Sequence, residues 1–346
     1  MKMLSNFSDT AILTKIRAMY GNRLTPQDYT ELLHKQTVGD VAAYLKNQTH
    51  YRDVLAQTQE SQVHRGQLEH MIHMELFQQY QRILRFCKSG NPFYEDLLRY
   101  VEVKLINERL GYFYTGIRQE DISGFPSYLS KYLCFNSLEL MRAEDFSQVL
   151  KVLEHTPYYR VLKPLTPPKG EKPDLLRCEK ALGVMLYDLR FSIVQQRFHG
   201  ATRKNLNAIY STQMELMNVT TIYRMKRFGG YTPQEIQAQL IPSHNRVESK
   251  LWQQMIEAPT VEGAMALLSK SRYSKYLDGD YTFIEYTAQA IHYHLSKRFM
   301  TFATDAPTGF AAFLVLSQLE QQNITNVIEG IRYQIAPEEI EKLLIL

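Results

Sequence analysis

Apolar residues along this chain fall at helical intervals. Leu68, Met71, Ile72, Glu75, Leu76 and Tyr80 follow i, i+3, i+4, i+7 spacing with one polar exception. Leu175, Leu176, Leu182, Leu186 and Leu189 mark a second apolar face within residues 174–197. Sustained period-two alternation is hard to find. Asn-Gly and Asp-Gly turns are almost absent, with Asp278-Gly279 the single hairpin candidate. The pattern predicts an all-α protein.

Glycine and proline divide these helices. Gly111 and Gly116 are predicted to close one helical stretch, and Gly124 and Pro126 to open the next. The run Lys163–Pro173 holds four prolines and is predicted to be the clearest loop in the chain. Gly229-Gly230 ends a helix, and Thr232-Pro233 begins another as N-cap and first-turn proline. A shorter break is predicted from Asp305 to Gly309.

A long-period repeat runs through this pattern. Thr49-His50-Tyr51 with Leu55 recurs as Thr156-Pro157-Tyr158 with Leu162, and again as Ser271-Arg272-Tyr273 with Leu277. Each copy follows an apolar segment: Val38–Leu45, Phe146–Leu153 and Val261–Leu268. A second marker lies downstream of each. Lys104 with Asn107 matches Glu215 with Asn218, and both match Glu320 with Asn323. Two ordered markers repeated three times predict three similar helical domains, residues 1–116, 117–230 and 231–346. Three similar units in one chain suit pseudo-threefold packing around a concave centre.

Composition narrows the function. With 45% hydrophobic residues in 346, the chain can bury a substantial core. Forty basic against 36 acidic residues give +4, compatible with a face near anionic lipid and far from a nucleic-acid-binding signature. Cys87, Cys134 and Cys178 form no CxxC pair, so free and mostly buried thiols in a reducing compartment are expected. The first nineteen residues are amphipathic and lack a signal-peptide core. The longest apolar stretch, Gly309–Leu316, is about half of the ~18 residues a membrane span needs. A soluble or peripheral protein is expected.

Catalytic patterns are missing. The sequence has no phosphate-cradling GxxxxGK[ST], no GxGxxG, no HExxH, no GxSxG and no DDxxD. His70 and His73 with Glu75 share a helical stretch but fall short of a zinc ligand set. Cys178 has no adjacent histidine to activate it. Arg203-Lys204 and Arg224–Arg227 are short basic clusters, read as solvated helix faces or as contacts to acidic partner residues or lipid headgroups. At i and i+3, Glu215 with Asn218 and Glu320 with Asn323 share helix faces. They either brace helix contacts or line a polar socket for a partner helix.

Lys15-Ile16-Arg17-Ala18-Met19, Arg23-Leu24-Thr25, Asp28-Tyr29, Leu32-Leu33, Leu45 and Tyr51 resemble the opening of the family of C subunits of V/A-type rotary ATPases, the counterparts of the eukaryotic d subunits. Glu215 to Asn218 with Arg224 and Lys226 is similar to that family's central helix, and Glu320 to Ile324 with Gly330 to its final one. The chain departs at Lys104, Phe113 and Thr325, where acidic residues or arginines are common in the family. The resemblance implies three similar helical domains in a funnel-shaped, pseudo-threefold arrangement on the cytoplasmic face of the membrane. Its implied partners are the rotary shaft, built from the D and F subunits, and the ring of membrane proteolipids. It implies torque transmission for proton or sodium transport, with no catalysis, cofactor, metal, nucleotide or nucleic acid bound by the chain itself. Glu215, Asn218, Arg224, Lys226, Glu320, Asn323 and Asn107 are the candidate partner-interface residues. The alternatives are a generic helical scaffold for another protein, and a helical enzyme with a dispersed site, which the missing catalytic patterns disfavour.

Overall fold

The computed structural model describes residues 2–87, 90–115, 127–242, 249–277 and 284–346, and among them finds helices and turns with no strand. The protein is all-α. Gly116, Gly124, Pro126 and Asp278-Gly279, together with the predicted boundary after residue 116, lie outside the described residues.

Short helices start where the sequence supplies caps. Thr25 and Asp28 form a capping box ahead of Pro26–Leu33, and Thr37 and Asp40 form another ahead of Val38–Gln48. Thr232 and Glu235 do the same for Pro233–Gln239, with Pro233 in the first turn. Asn136, Asp145 and Thr260 cap Ser137–Arg142, Phe146–Val152 and Val261–Leu268 through their side chains. In each case a side-chain oxygen takes an N–H that the helix itself cannot satisfy.

Some breaks shift from where the sequence placed them. Gly111 sits inside Asp96–Thr115, since one glycine in a helix costs only about 1 kcal/mol and flanking packing outweighs that. Asp305 caps Ala306–Arg332, so Gly309 belongs to that helix's first turns. A Cβ on Gly309 would lie 2.6 Å from Leu13 Cδ1, so the bare backbone is what admits the first helix, Lys2–Gly21. Lys163–Leu165 forms a 3₁₀ turn before the loop, because proline is tolerated at a helix start. On Leu175–Arg197, Leu176 and Leu189 are exposed while Cys178, Tyr187, Arg190 and Phe191 join Leu182 and Leu186 inside. Cys178 is buried, Cys87 is half-buried and Cys134 is exposed. The expectation of mostly buried thiols therefore fails at Cys134.

The chain forms two compact units. The first is built mainly from Met1–Asn91 and Tyr293–Leu346. The stretch 306–316 of its Ala306–Arg332 helix is buried on every side, as a stretch that is apolar nearly all round must be. Leu32, Leu45, Leu55, Leu68 and Ile72 pack against Ile324, Val327 and Ile328 of that helix. The second unit is built from Pro92–Asp121 and Ser127–His292. There Val219, Ile222 and Met225 of Gly200–Phe228 pack against Trp252, Met255, Ile256, Ala264 and Leu268. Among the described residues no helix is long and apolar enough to cross a membrane.

Candidate functional site

A helix pair followed by a tyrosine occurs three times: Pro26–Leu33 and Val38–Gln48 before Tyr51, Ser137–Arg142 and Phe146–Val152 before Tyr158, Ser249–Glu257 and Val261–Leu268 before Tyr273. All three tyrosines are buried. A buried hydroxyl needs a partner. Each finds a carboxylate on a long helix. Tyr51 donates to Glu320 Oε1 at 3.1 Å, and Tyr158 donates to Glu102 Oε2 at 2.6 Å. Tyr273 donates to Glu215 Oε2 through a short contact, with Thr212 beside it.

Two of these carboxylates also hold the other end of their helix pair. Leu24 N–H donates to Glu320 Oε2 at 2.8 Å, and Cys134 N–H donates to Glu102 Oε1 at 2.7 Å. One side chain therefore pins the entry and exit of a folded segment. Glu102 and Glu215 show no solvent exposure. Burying a carboxylate is costly unless it is hydrogen-bonded and paired. At Glu102 the pairing comes from Arg99, whose Nη1 lies 2.8 Å from Oε2. Burial and the neighbouring carboxylate push the Tyr158 and Tyr273 phenols far above their ordinary range. They remain neutral donors.

The asparagine markers do a second job. Asn218 Nδ2 donates to Ile241 O at 3.0 Å, and Ile241 N–H donates back to Asn218 Oδ1 at 2.9 Å. Asn323 makes the same pair with Ile345, at 2.8 and 3.0 Å. An amide is the side chain that offers one donor and one acceptor side by side, matching a peptide unit. Both asparagines are buried. The two copies share the path between: a long helix, a residue at positive φ (Gly230 at 60°, Gln334 at 55°), a proline-started short helix, then the isoleucine. Asn107 Oδ1 has no hydrogen-bond partner among the described residues.

The remaining candidates lie further along Gly200–Phe228. Lys226 Nζ donates to Ile256 O at 2.8 Å and Ala258 O at 2.6 Å, closing the C-terminal end of Ser249–Glu257. Desolvation lowers its pKa. Arg224 is largely exposed and pairs with Glu285 at 2.7 Å. Thus Glu215, Asn218, Asn323 and Lys226 turn their polar atoms to the fold's interior contacts, while Arg224 faces solvent. Asn107, Glu215, Asn218, Arg224 and Lys226 belong to the second unit, Glu320 and Asn323 to the first.

Glu102 is the residue that sequence reasoning missed. It stands five positions before Asn107, whereas Glu215 and Glu320 stand three before their asparagines. Aligning the asparagines therefore put Lys104, an exposed residue, in its place. The available signal was a lone carboxylate between Val101 and Val103 in an apolar stretch. Among the described residues, no group of three or more His, Cys, Asp or Glu could hold a metal ion.

The buried carboxylates and amides of these clasps thus hold one helical segment against another, the arrangement of a braced helical scaffold. The model of the ATP synthase (C/AC39) subunit family matches residues 12–343. The chain belongs to that family, the C or d subunits of V/A-type rotary ATPases. No curated protein matches it.

Proposed function

We propose that this chain is the non-catalytic coupling subunit of the central stalk, joining the shaft of D and F subunits to the proteolipid ring and passing torque between them. Family membership over residues 12–343 carries the reading. On this reading the chain sits on the cytoplasmic face of the membrane, binds neither nucleotide nor ion itself, and serves proton or sodium transport through its neighbours.

The order of the clasps supports a threefold repeat of one helical module. Glu102 from the segment 1–116 takes Tyr158 of 117–230, Glu215 from 117–230 takes Tyr273 of 231–346, and Glu320 from 231–346 takes Tyr51 of 1–116. A torque adaptor must be stiff, and dense helical packing with buried clasps supplies stiffness. Of the candidate interface residues, Arg224 is offered as a direct partner contact. Glu215, Asn218, Lys226, Glu320 and Asn323 are offered as braces that hold the contacting helices in place.

Removing the chain from membranes that carry the whole machine tests this. ATP hydrolysis by the catalytic head is expected to continue while ion pumping is lost, and re-adding the chain is expected to restore pumping. Pumping that survives without the chain would refute the reading.

A further inference from the structure

The Tyr51–Glu320 clasp differs from the other two because a histidine stands beside it. The residue before the clasp tyrosine is His50 here, and Pro157 and Arg272 in the other copies. His50 Nδ1 lies 3.0 Å from Asn22 O. A carbonyl oxygen carries no hydrogen, so Nδ1 holds the ring proton and donates. The other nitrogen, Nε2, lies 3.4 Å from Glu320 Oε1. Without a further proton, two lone pairs face each other at that contact. Only 13% of the His50 side chain and 12% of the Glu320 side chain reach solvent, so water screens them poorly.

We propose that His50 and Glu320 form a proton-binding site, in which one proton shared between Nε2 and the carboxylate locks the turn at Thr49–Arg52 onto the Ala306–Arg332 helix. The proton adds an N···H–O or N–H···O bond and breaks no other. Leu24 N–H and Tyr51 OH already donate to the carboxylate, but neither brings charge. A cavity of about 140 Å³ lies against the pair, large enough for water to deliver the proton.

The surrounding charges pull both ways. Arg23 and Lys297 line the cavity, and Arg23 favours the ionised carboxylate. Asp28, from the Pro26–Leu33 helix, opposes ionisation. From Arg65–Leu84, Arg82 disfavours a charged His50, and Glu75 acts on Tyr51. Tyr20, Tyr29 and Tyr293 line the same cavity. Burial is the largest influence on both partners. It pushes the Glu320 carboxyl up to about 7 and the His50 imidazole down to about 4. The proton therefore rests on the carboxyl, and the imidazole accepts.

Folding stability is a blunt probe of this site. Between the ordinary carboxyl and imidazole values, 4.5 and 6.5, the native pair holds one proton on Glu320 and the unfolded chain holds one on His50. Equal proton counts leave stability flat there. The ring nitrogens report directly. The full chain with ¹⁵N-labelled histidine is titrated by NMR across both sides of neutrality, with the His50 signals assigned from a His50→Asn variant. The expected result is a His50 ring that stays neutral, with Nδ1 protonated, well below 6.5, and whose Nε2 signal inflects near 7. In Glu320→Gln that inflection is expected to vanish. An ordinary imidazolium titration near 6.5, or an inflection near 7 that persists in Glu320→Gln, would overturn the proposal. Should Glu320→Gln fail to fold, ¹³C-labelled glutamate carboxyls give the second measurement. A carboxyl inflection near 7 that moves down in His50→Asn, while burial keeps it above the ordinary carboxylate range, supports the site, and one that stays put overturns it.

Discussion

Tyr158 donates its hydroxyl to Glu102 across 2.6 Å, at a place where neither side chain touches solvent. Arg99 and the Cys134 N–H complete the carboxylate's shell. Tyr158→Phe removes one donor and leaves the rest, so it is expected to cost about 1–3 kcal/mol in denaturant unfolding. Glu102→Leu leaves a phenol, a backbone N–H and a guanidinium without their acceptor. It is expected to cost more, about 3–5 kcal/mol. Equal losses from the two variants would contradict the shared-clasp account.

Asn323 reads as a peptide mimic, and Asn323→Asp isolates that role. The carboxylate still accepts from Ile345 N–H, but its second oxygen now faces the Ile345 carbonyl. Two acceptors in contact favour a proton, so the introduced carboxyl is expected to titrate above its ordinary range. A group with a raised folded pKa stabilises below its unfolded value and loses that contribution as pH rises. The deficit against wild type is expected to be largest near neutrality and to shrink on acidification, as read by thermal melting. A deficit independent of pH would refute the peptide-mimic reading.

Acid sensitivity is expected at His292. It is buried in the second unit, Nε2 has no hydrogen-bond partner among the described residues, and burial followed by Arg190 holds the ring down to about 4. The unfolded chain would protonate it below 6.5 while the native state would not. Its contribution to stability is therefore complete above 6.5 and is lost as pH falls towards 4. A His292→Leu variant is expected to show a shallower fall of the unfolding midpoint over that window. An unchanged slope would show that other groups set it.

Arg224 separates binding from folding. Its pair with Glu285 is exposed, with side-chain exposures of 64% and 43%, so solvent screens it. Arg224→Glu is expected to change stability by no more than about 0.5 kcal/mol while reducing recovery of the chain with its complex. Loss of folding together with binding would assign Arg224 to the scaffold.

Sequence and structure agree where the signal is local. Thr232 and Pro233 announced a helix start because caps and first-turn prolines act within one turn. Tyr51, Tyr158 and Tyr273 stood out because each closely follows an apolar segment. What those tyrosines bind was not legible, since Tyr51 and Glu320 are 269 positions apart and no local pattern records the pairing. Glu75 looked like an error in an apolar stripe, yet it is buried and accepts from Gln79 at 3.1 Å. Leu176 and Leu189 looked like core, but Arg190, held by Asp96 at 2.6 and 3.0 Å, occupies the interior in preference to Leu189. Periodicity scores hydrophobicity, so it misses a buried charge whose partner lies on another helix.

As proposed, this chain links a rotating shaft to a membrane ring. Affinity capture of the tagged full chain from membranes in mild detergent, followed by mass spectrometry, tests it most directly. Recovery of shaft and proteolipid subunits in fixed proportion to the chain is the expected result. A chain recovered alone, while the rest of the rotary complex stays assembled in the same extract, would contradict it.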